Sequence, residues 1–423
     1  MKLARQALIF LLMFSFHFTC NKNDDSGACG KFDARLQAPA TPGPSFWILL
    51  SDEKGALLDA RRAEAAGGYS VSTRECAGRY DFTIIQRREE EVAIGGNPAT
   101  VAIYEATTFL DVADGLEFDR RDPGQGELRD FSIEGVQSLE LLLWPEESLQ
   151  SFGRDAFIDQ AVQRLSFEIP VYEGDPVFLI IRANGEAENR FLWVNAVDRY
   201  SFTFDYGALD RLEPFGPIAL PNDAPWRYFV DGVGEFGATR LDYSSLPDQV
   251  FFEFGTALPP ADTVRAYRLT AREERFKNGG LFFPVYFEKE LPGMPAAIPE
   301  PEVDFTLQRN SRESFQANVT EGQPTALALF LHDNASNAGQ GPWLRWSVYG
   351  SPEAMADFRL PPWPAELSAA RADLRAEGRQ TPVIMRAFTY DSQPTYRQFL
   401  DARAAREEGW DAQQGLEAKE KSF

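Results

Sequence analysis

Short apolar runs, each bounded by turn-forming residues, recur along this sequence, and that rhythm restricts the fold more than any other feature. Phe46-Trp47-Ile48-Leu49-Leu50 gives way to Asp52-Glu53-Lys54-Gly55. Gly67-Gly68 precede the alternating Tyr69-Ser70-Val71-Ser72, and residues 80–85 and 100–104 follow at similar spacing. Runs this short do not make a packed helix. Strands of roughly four to eight residues, with turns about every 8–12 residues, are the mark of an antiparallel sandwich. The pattern returns at 139–144, 165–172, 177–181, 191–194 and 200–204. Asn184-Gly185-Glu186 between two of those runs is the strongest hairpin cue in the chain. It resumes at 227–230, 250–254, 264–269, 281–287, 303–307, 326–331, 344–349 and 383–388. The 34 Phe residues and 13% aromatic content agree, because aromatic side chains suit pleated, half-buried surfaces.

Helical spacing is confined to the end of the chain. Glu366, Leu367, Ala370 and Leu374 keep it after Pro364, as do Tyr396, Phe399, Leu400 and Ala404 within 395–410. The charged residues 417–421 read as a frayed end. The expected fold is therefore mainly β: two or more antiparallel β-sandwich modules, Ig-like or jelly-roll-like, with a short C-terminal helical segment. At 423 residues the chain exceeds one ordinary core. The polar stretch 111–130 and the prolines Pro214, Pro217, Pro221 and Pro225 mark boundaries. They divide the body into modules at 31–110 and 111–213 and a larger β-rich region at 214–423.

The formal net charge is −22. A field of that sign repels phosphate backbones, so nucleic acid is excluded as a partner. It keeps a surface protein soluble.

Residues 1–19 carry Lys2 and Arg5, then an apolar run from residue 7 to 18. A cationic start and a short apolar core make a secretory signal, and the run falls short of the ~20 residues a membrane-spanning helix needs. Cys20 follows directly. Cys20-Asn21-Lys22-Asn23-Asp24-Asp25-Ser26 resembles the acidic export tag of Bacteroidetes surface lipoproteins. That resemblance implies lipid attachment at Cys20, a tether over residues 20–30, and an outer-membrane anchor with the body at the cell surface. Export also frames Cys29 and Cys76, which are expected to pair in an oxidising compartment and fasten the tether to the body.

Four constellations bear on chemistry. Gly232-Val233-Gly234-Glu235-Phe236-Gly237 has dinucleotide-loop spacing, but strand-like alternation follows it where a helix is required, so it reads as a glycine-rich hairpin. His332 is the one histidine outside the leader, which excludes two-histidine zinc signatures, and its place beyond the run 327–331 reads as a strand end. Asp111, Asp114 and Asp119 sit in an acidic stretch of the kind in which calcium, a hard cation, takes oxygen ligands. Trp343, Trp346 and Trp363 are candidate stacking residues for a sugar. Strand alternation sends Trp343 and Trp346 to opposite faces, so one of those two is expected in the core. No catalytic residue can be chosen. The expected function is ligand binding without catalysis, the ligand being a polysaccharide or another envelope protein. A hydrolase acting on extracellular glycans through paired carboxylates, and a structural subunit of an outer-membrane complex, are the alternatives.

Overall fold

The computed structural model describes residues 30–38, 45–94, 97–119, 127–143, 157–171, 174, 176–214, 218–222, 224–234, 238–243, 253–254, 257–259, 263–277, 280–311, 313–333, 343–364, 367, 383–391, 395–405 and 416–423. The fold is mainly β, its sheets are mostly antiparallel, and the helix Tyr396–Ala405 lies near the C-terminal end.

A twelve-stranded sheet forms the backbone of the molecule. From one edge to the other its strands are Ala238–Tyr243, Trp226–Val233, Ala266–Glu273, Val285–Leu291, Leu416–Ser422, Val383–Tyr390, Ala326–Asp333, Trp343–Gly350, Asn97–Phe109, Tyr80–Ile94, Ser45–Asp52 and Leu57–Ala63. Neighbours run antiparallel except Trp343–Gly350, which lies parallel to Asn97–Phe109.

Near the Leu57–Ala63 edge this sheet is the middle of three layers. The strands Gly67–Thr73, Phe32–Ala38 and Glu117–Asp119 cover one face together with the helix Tyr396–Ala405. The strands Asp304–Arg309, Ser314–Glu321 and Phe358–Arg359 cover the other. A strand buried on both faces has no need of polar residues, which explains the unbroken run Phe46 to Leu50. Phe46, Ile48 and Leu50 enter one core, Trp47 and Leu49 the other. Ala326 and Ala328 against Leu327, Leu329 and Leu331 repeat the arrangement.

The middle of the chain builds a second sandwich. One sheet holds Phe157–Asp159, Arg164–Val171, Glu127–Glu134 and Ser201–Asp205; the other holds Arg190–Val194, Val177–Ala183 and Leu139–Leu143. Between them lie Phe131, Phe167, Leu179, Ile181 and Leu192. Phe178, Ile180 and Phe191 point the opposite way and pack on Trp226, Val230, Leu269 and Phe287 of the large sheet. Residues 177–181 are thus buried on both faces as well.

Some expectations differ from what is found. Residues 31–110 do not close on themselves. Trp343 pairs with Ile103 across the sheet, and the cores of that segment are shared with residues 303–418. Residues 131–209 share a core of their own, whereas Val112, Leu116 and Phe118 belong to the core beneath Phe32–Ala38, so the expected segment 111–213 is not one unit. The charged end is not frayed: Leu416–Ser422 pairs with Val285–Leu291 on one side and Val383–Tyr390 on the other. Leu416, Ala418, Glu420 and Ser422 alternate inward, and the one buried charge among them is answered by Arg386, 2.6 Å from Glu420. The pairing of Val177–Ala183 with Arg190–Val194 agrees with the Asn184-Gly185 hairpin, with Gly185 at φ +86. Of the run 250–254 only Glu253–Phe254 is a described strand. Apart from Leu367, the helical spacing from Glu366 to Leu374 lies outside the described residues.

Gly322 also stands where no other residue fits. Its φ is +75, and a Cβ there would lie 2.2 Å from the Glu302 carbonyl oxygen.

Candidate functional site

Of the tryptophans, Trp346 and Trp363 are core residues. Trp346 is fully buried, its Nε1–H donates to Thr108 Oγ1 at 3.0 Å, and Thr108 meets Thr83 at 2.8 Å. Trp363 is buried 5.4 Å from the Trp346 ring and 6.1 Å from Tyr104. Alternation puts Trp346 on the face covered by the Asp304–Arg309 sheet, so these two cannot form a sugar platform, and the expectation is corrected. Trp343 opens its strand opposite Ile103; its side chain lies outside the described residues.

Of the acidic trio, the Asp119 side chain lies outside the described residues. Asp114 Oδ1 accepts from the Asp33 amide at 2.7 Å, Asp111 gives its own amide to Asp81, and Asp119 ends a strand opposite Gln37. These bonds tie loops to strands. Among the described residues there is no group of three or more His, Cys, Asp or Glu that could hold a metal ion. His332 pairs with Arg345 across the strands, and its side chain lies outside the described residues.

The glycine-rich stretch joins Trp226–Val233 to Ala238–Tyr243 as an antiparallel hairpin. A Cβ on Gly232 would stand 3.0 Å from Trp193 Cζ3, so that glycine serves close packing and not a phosphate. Cys76 is disulfide-bonded, while Cys20 and Cys29 lie outside the described residues.

What the structure does assemble is a row of alternating guanidinium groups and rings across the large sheet. It begins at Arg240, 4.5 Å from the Phe229 ring centre. Arg272 lies 5.3 Å from that ring and 4.7 Å from Phe283. Arg386 follows, 5.6 Å from Phe283 and 5.3 Å from Phe330, with Tyr286 and Phe388 each at 5.6 Å. Period-two alternation creates the row: Arg227, Phe229 and Asp231 point to this face, while Trp226 and Val230 go to the core behind. Each charge in the row has a partner. Arg240 pairs with Asp231, Arg272 and Arg227 share Glu274 at 3.1 Å, and Arg386 holds Glu420. Glu420 also accepts from the Phe283 amide at 2.8 Å, and Tyr286 donates to Glu288 at 2.6 Å.

Electrostatics follow from this burial. Desolvation pushes the Glu420 carboxyl above its ordinary value, against the pull of Arg386. Burial disfavours the Arg386 cation, but Glu420 outweighs it and the guanidinium is raised. Phe229, Phe283, Tyr286 and Phe330 stay half-buried, so the row is a charged, partly accessible surface. It offers a ligand the edges of guanidinium groups and carboxylates for hydrogen bonding, because cations already stand over the rings. Three buried acids lie near the row, Glu274, Glu288 and Glu420. Register places Ala418 opposite Tyr286 and so Glu420 level with residue 284, about 13 Å along the strands from Glu288 and beyond the roughly 5–9.5 Å of a glycosidase pair. Glu274 is level with the same residue 284, two strands or about 9.6 Å from Glu420.

A second polar cluster lies at one end of the sheet. Asp81 is 1% exposed; its Oδ1 accepts from Arg79 Nε and the Asp111 amide, both at 3.0 Å. Arg79 also donates to the Ala354 carbonyl at 2.9 Å. The Tyr396 hydroxyl lies 2.9 Å from the carbonyl oxygens of Leu110 and Tyr349, tying the helix to two strand ends. Desolvation raises the Asp81 carboxyl to about 7, opposed by Arg79 and the Asp111 N–H. Burial, and then the fields of Asp81 and Asp111, push the Tyr396 hydroxyl well above its usual range. Asp111 itself holds φ +55, uncommon outside glycine.

Sequence alone singles out neither cluster. Arg–x–Phe at 227–229 and Arg–x–Thr–x–Arg at 268–272 carry the signal for the first, as arginines spaced by two within strands. Nothing local marks the second, whose members come from four separate segments.

No family model matches the chain, and no curated protein matches it. Among solved structures it is similar to a crystal structure of "a putative cell adhesion protein from Bacteroides eggerthii", at 9% identity over 79% of this chain and 92% of that one, with a TM-score of 0.14. A likeness at that score carries no argument.

Proposed function

We propose that this chain is an exported, lipid-anchored surface protein that captures an extracellular ligand, with a polysaccharide as the ligand class. The observation that carries the export reading is the disulfide at Cys76, a bond that persists in oxidising compartments and is rare in reducing ones. It accompanies the leader and Cys20, which imply the anchor. For the ligand, the half-buried guanidinium row from Arg240 to Arg386 supports hydroxyl and carboxylate recognition through charge-assisted hydrogen bonds.

The test uses the chain from residue 21 onward, so that Cys20 takes no lipid, on a polysaccharide panel read by calorimetry. Saturable binding that weakens at least tenfold in Arg272→Ala supports the reading. Binding unchanged by Arg272→Ala moves the site elsewhere. Absence of binding to the whole panel favours an envelope-protein partner, and release of shorter sugars would make the chain a hydrolase.

A further inference from the structure

The disulfide-bonded Cys76 and the first strand pair lie close together in the chain's fold. Phe32–Ala38 pairs antiparallel with Gly67–Thr73, with Phe32 opposite Thr73. The ladder ends there, so the chain enters the body through Gly30 and Lys31 beside Thr73, and Cys76 lies three residues beyond Thr73. Cys76 is disulfide-bonded, and the chain holds only Cys20 and Cys29 as partners for it. A lipid-bearing Cys20 sulfur cannot form a disulfide, so Cys29 is the partner.

The tether is short. Eight residues, Asn21 to Ala28, separate the two cysteines. Fully extended they hold Cys29 within about 30 Å of Cys20. The Phe32 ring stacks on Tyr80 with centroids 4.1 Å apart, Tyr80 pairs with Asp52, the Gly78 amide donates to Glu53, and Val112 donates to the Tyr80 carbonyl. The turn at 52–55, the loop at 74–79 and the loop at 110–116 therefore share one pole. From it Tyr80–Ile94 runs away for 15 residues, about 50 Å of strand.

We propose that this pole is the membrane-facing surface and that the far end of the Tyr80–Ile94 and Asn97–Phe109 hairpin is held outward, away from lipid. The inference rests on the lipid-anchor reading above. The pole's charge fits a surface suspended by its tether and not adsorbed: Asp52, Glu53, Glu75, Asp111 and Asp114 outnumber Lys54 and Arg74, with Arg79 committed to Asp81. Anionic headgroups repel such a surface within a Debye length, about 10 Å at 0.1 M salt.

The experiment uses the full, lipidated chain in vesicles of phosphatidylethanolamine and phosphatidylglycerol carrying a headgroup-labelled acceptor lipid. A fluorescent amino acid is placed at the exposed Lys54 in one sample and the exposed Glu91 in another. Flotation is read first, then energy transfer to the acceptor. Flotation with transfer from Lys54 several-fold above that from Glu91 is expected. Flotation with equal or reversed transfer overturns the pole assignment and leaves the anchor standing. A chain that does not float overturns both. Peptide mapping without reductant adds an independent reading: a Cys29–Cys76 cross-link is expected, and a Cys20–Cys76 cross-link removes the anchor and the orientation together.

Discussion

Replacing Asp81 by Asn tests whether desolvation governs the buried cluster at the sheet end. The folded carboxyl is raised from 3.8 to about 7. At about 1.4 kcal/mol per pH unit, that displacement is worth about 4 kcal/mol between the two protonation states. The sign follows from proton binding. Below 3.8 folded and unfolded chains both hold the proton, and the contribution is fully present. As pH rises the unfolded chain releases its proton first and the folded chain only near 7, so stability is lost across that interval. The side-chain amide introduced by Asp81→Asn cannot titrate and lacks this slope. The stability of the native chain relative to Asp81→Asn should therefore fall by roughly 2–3 kcal/mol between about pH 5 and pH 8. Urea unfolding at a series of pH values, followed by tryptophan fluorescence, reads the difference and cancels every other titrating group. Parallel curves would refute the reasoning. So would a native chain that gains on the variant as pH rises, since Arg79 and the Asp111 amide would then dominate the carboxyl.

Three further perturbations have defined outcomes. Glu420→Ala leaves Arg386 enclosed by rings without a counter-charge and should cost about 3–5 kcal/mol in denaturant unfolding; a loss below about 1 kcal/mol would show that the pair is well hydrated. Trp346→Phe removes the bond to Thr108 and opens space beside Trp363, for a loss of about 2–3 kcal/mol, and an unchanged melting temperature would place the ring outside the core. Gly322→Ala forces a Cβ against the Glu302 carbonyl at positive φ; calorimetry should show at least ~2 kcal/mol of destabilisation, and a neutral result would contradict the turn geometry.

Strand positions are legible because their causes are local. The apolar run at 46–50, the alternation at 69–72 and the turn at 184–186 each announce themselves within a few residues. Partnerships are not, because they depend on distant segments. Nothing near Ile103 says that it lies opposite Trp343, and that pairing dissolves the boundary expected at residue 110. Residues 416–422 mislead for a different reason. Charge density there suggests a solvated end, yet period-two alternation hides Leu416 and Ala418, and the buried acid is neutralised by a residue 34 positions away. The tryptophans illustrate the limit for sites. Alternation separates Trp343 from Trp346, but which face is covered depends on a sheet formed by residues 304–359.

The strand Leu416–Ser422 has a consequence for the order of assembly. Among the described residues it is the one strand whose ladders join four strands on one side of the large sheet to seven on the other. A chain that emerges from its N-terminus onward offers Val285–Leu291 and Val383–Tyr390 as open edges until residues 416–422 arrive. The contact of Glu105 with Arg345 likewise waits for 240 positions of chain. Such non-local closure is slow, and unpaired edges meanwhile invite pairing with other chains. The sheet cannot lock early, so nearly the whole chain must be delivered before the structure becomes cooperative. That delay keeps a nascent chain threadable and leaves its aggregation risk concentrated in the final moments of synthesis or transport.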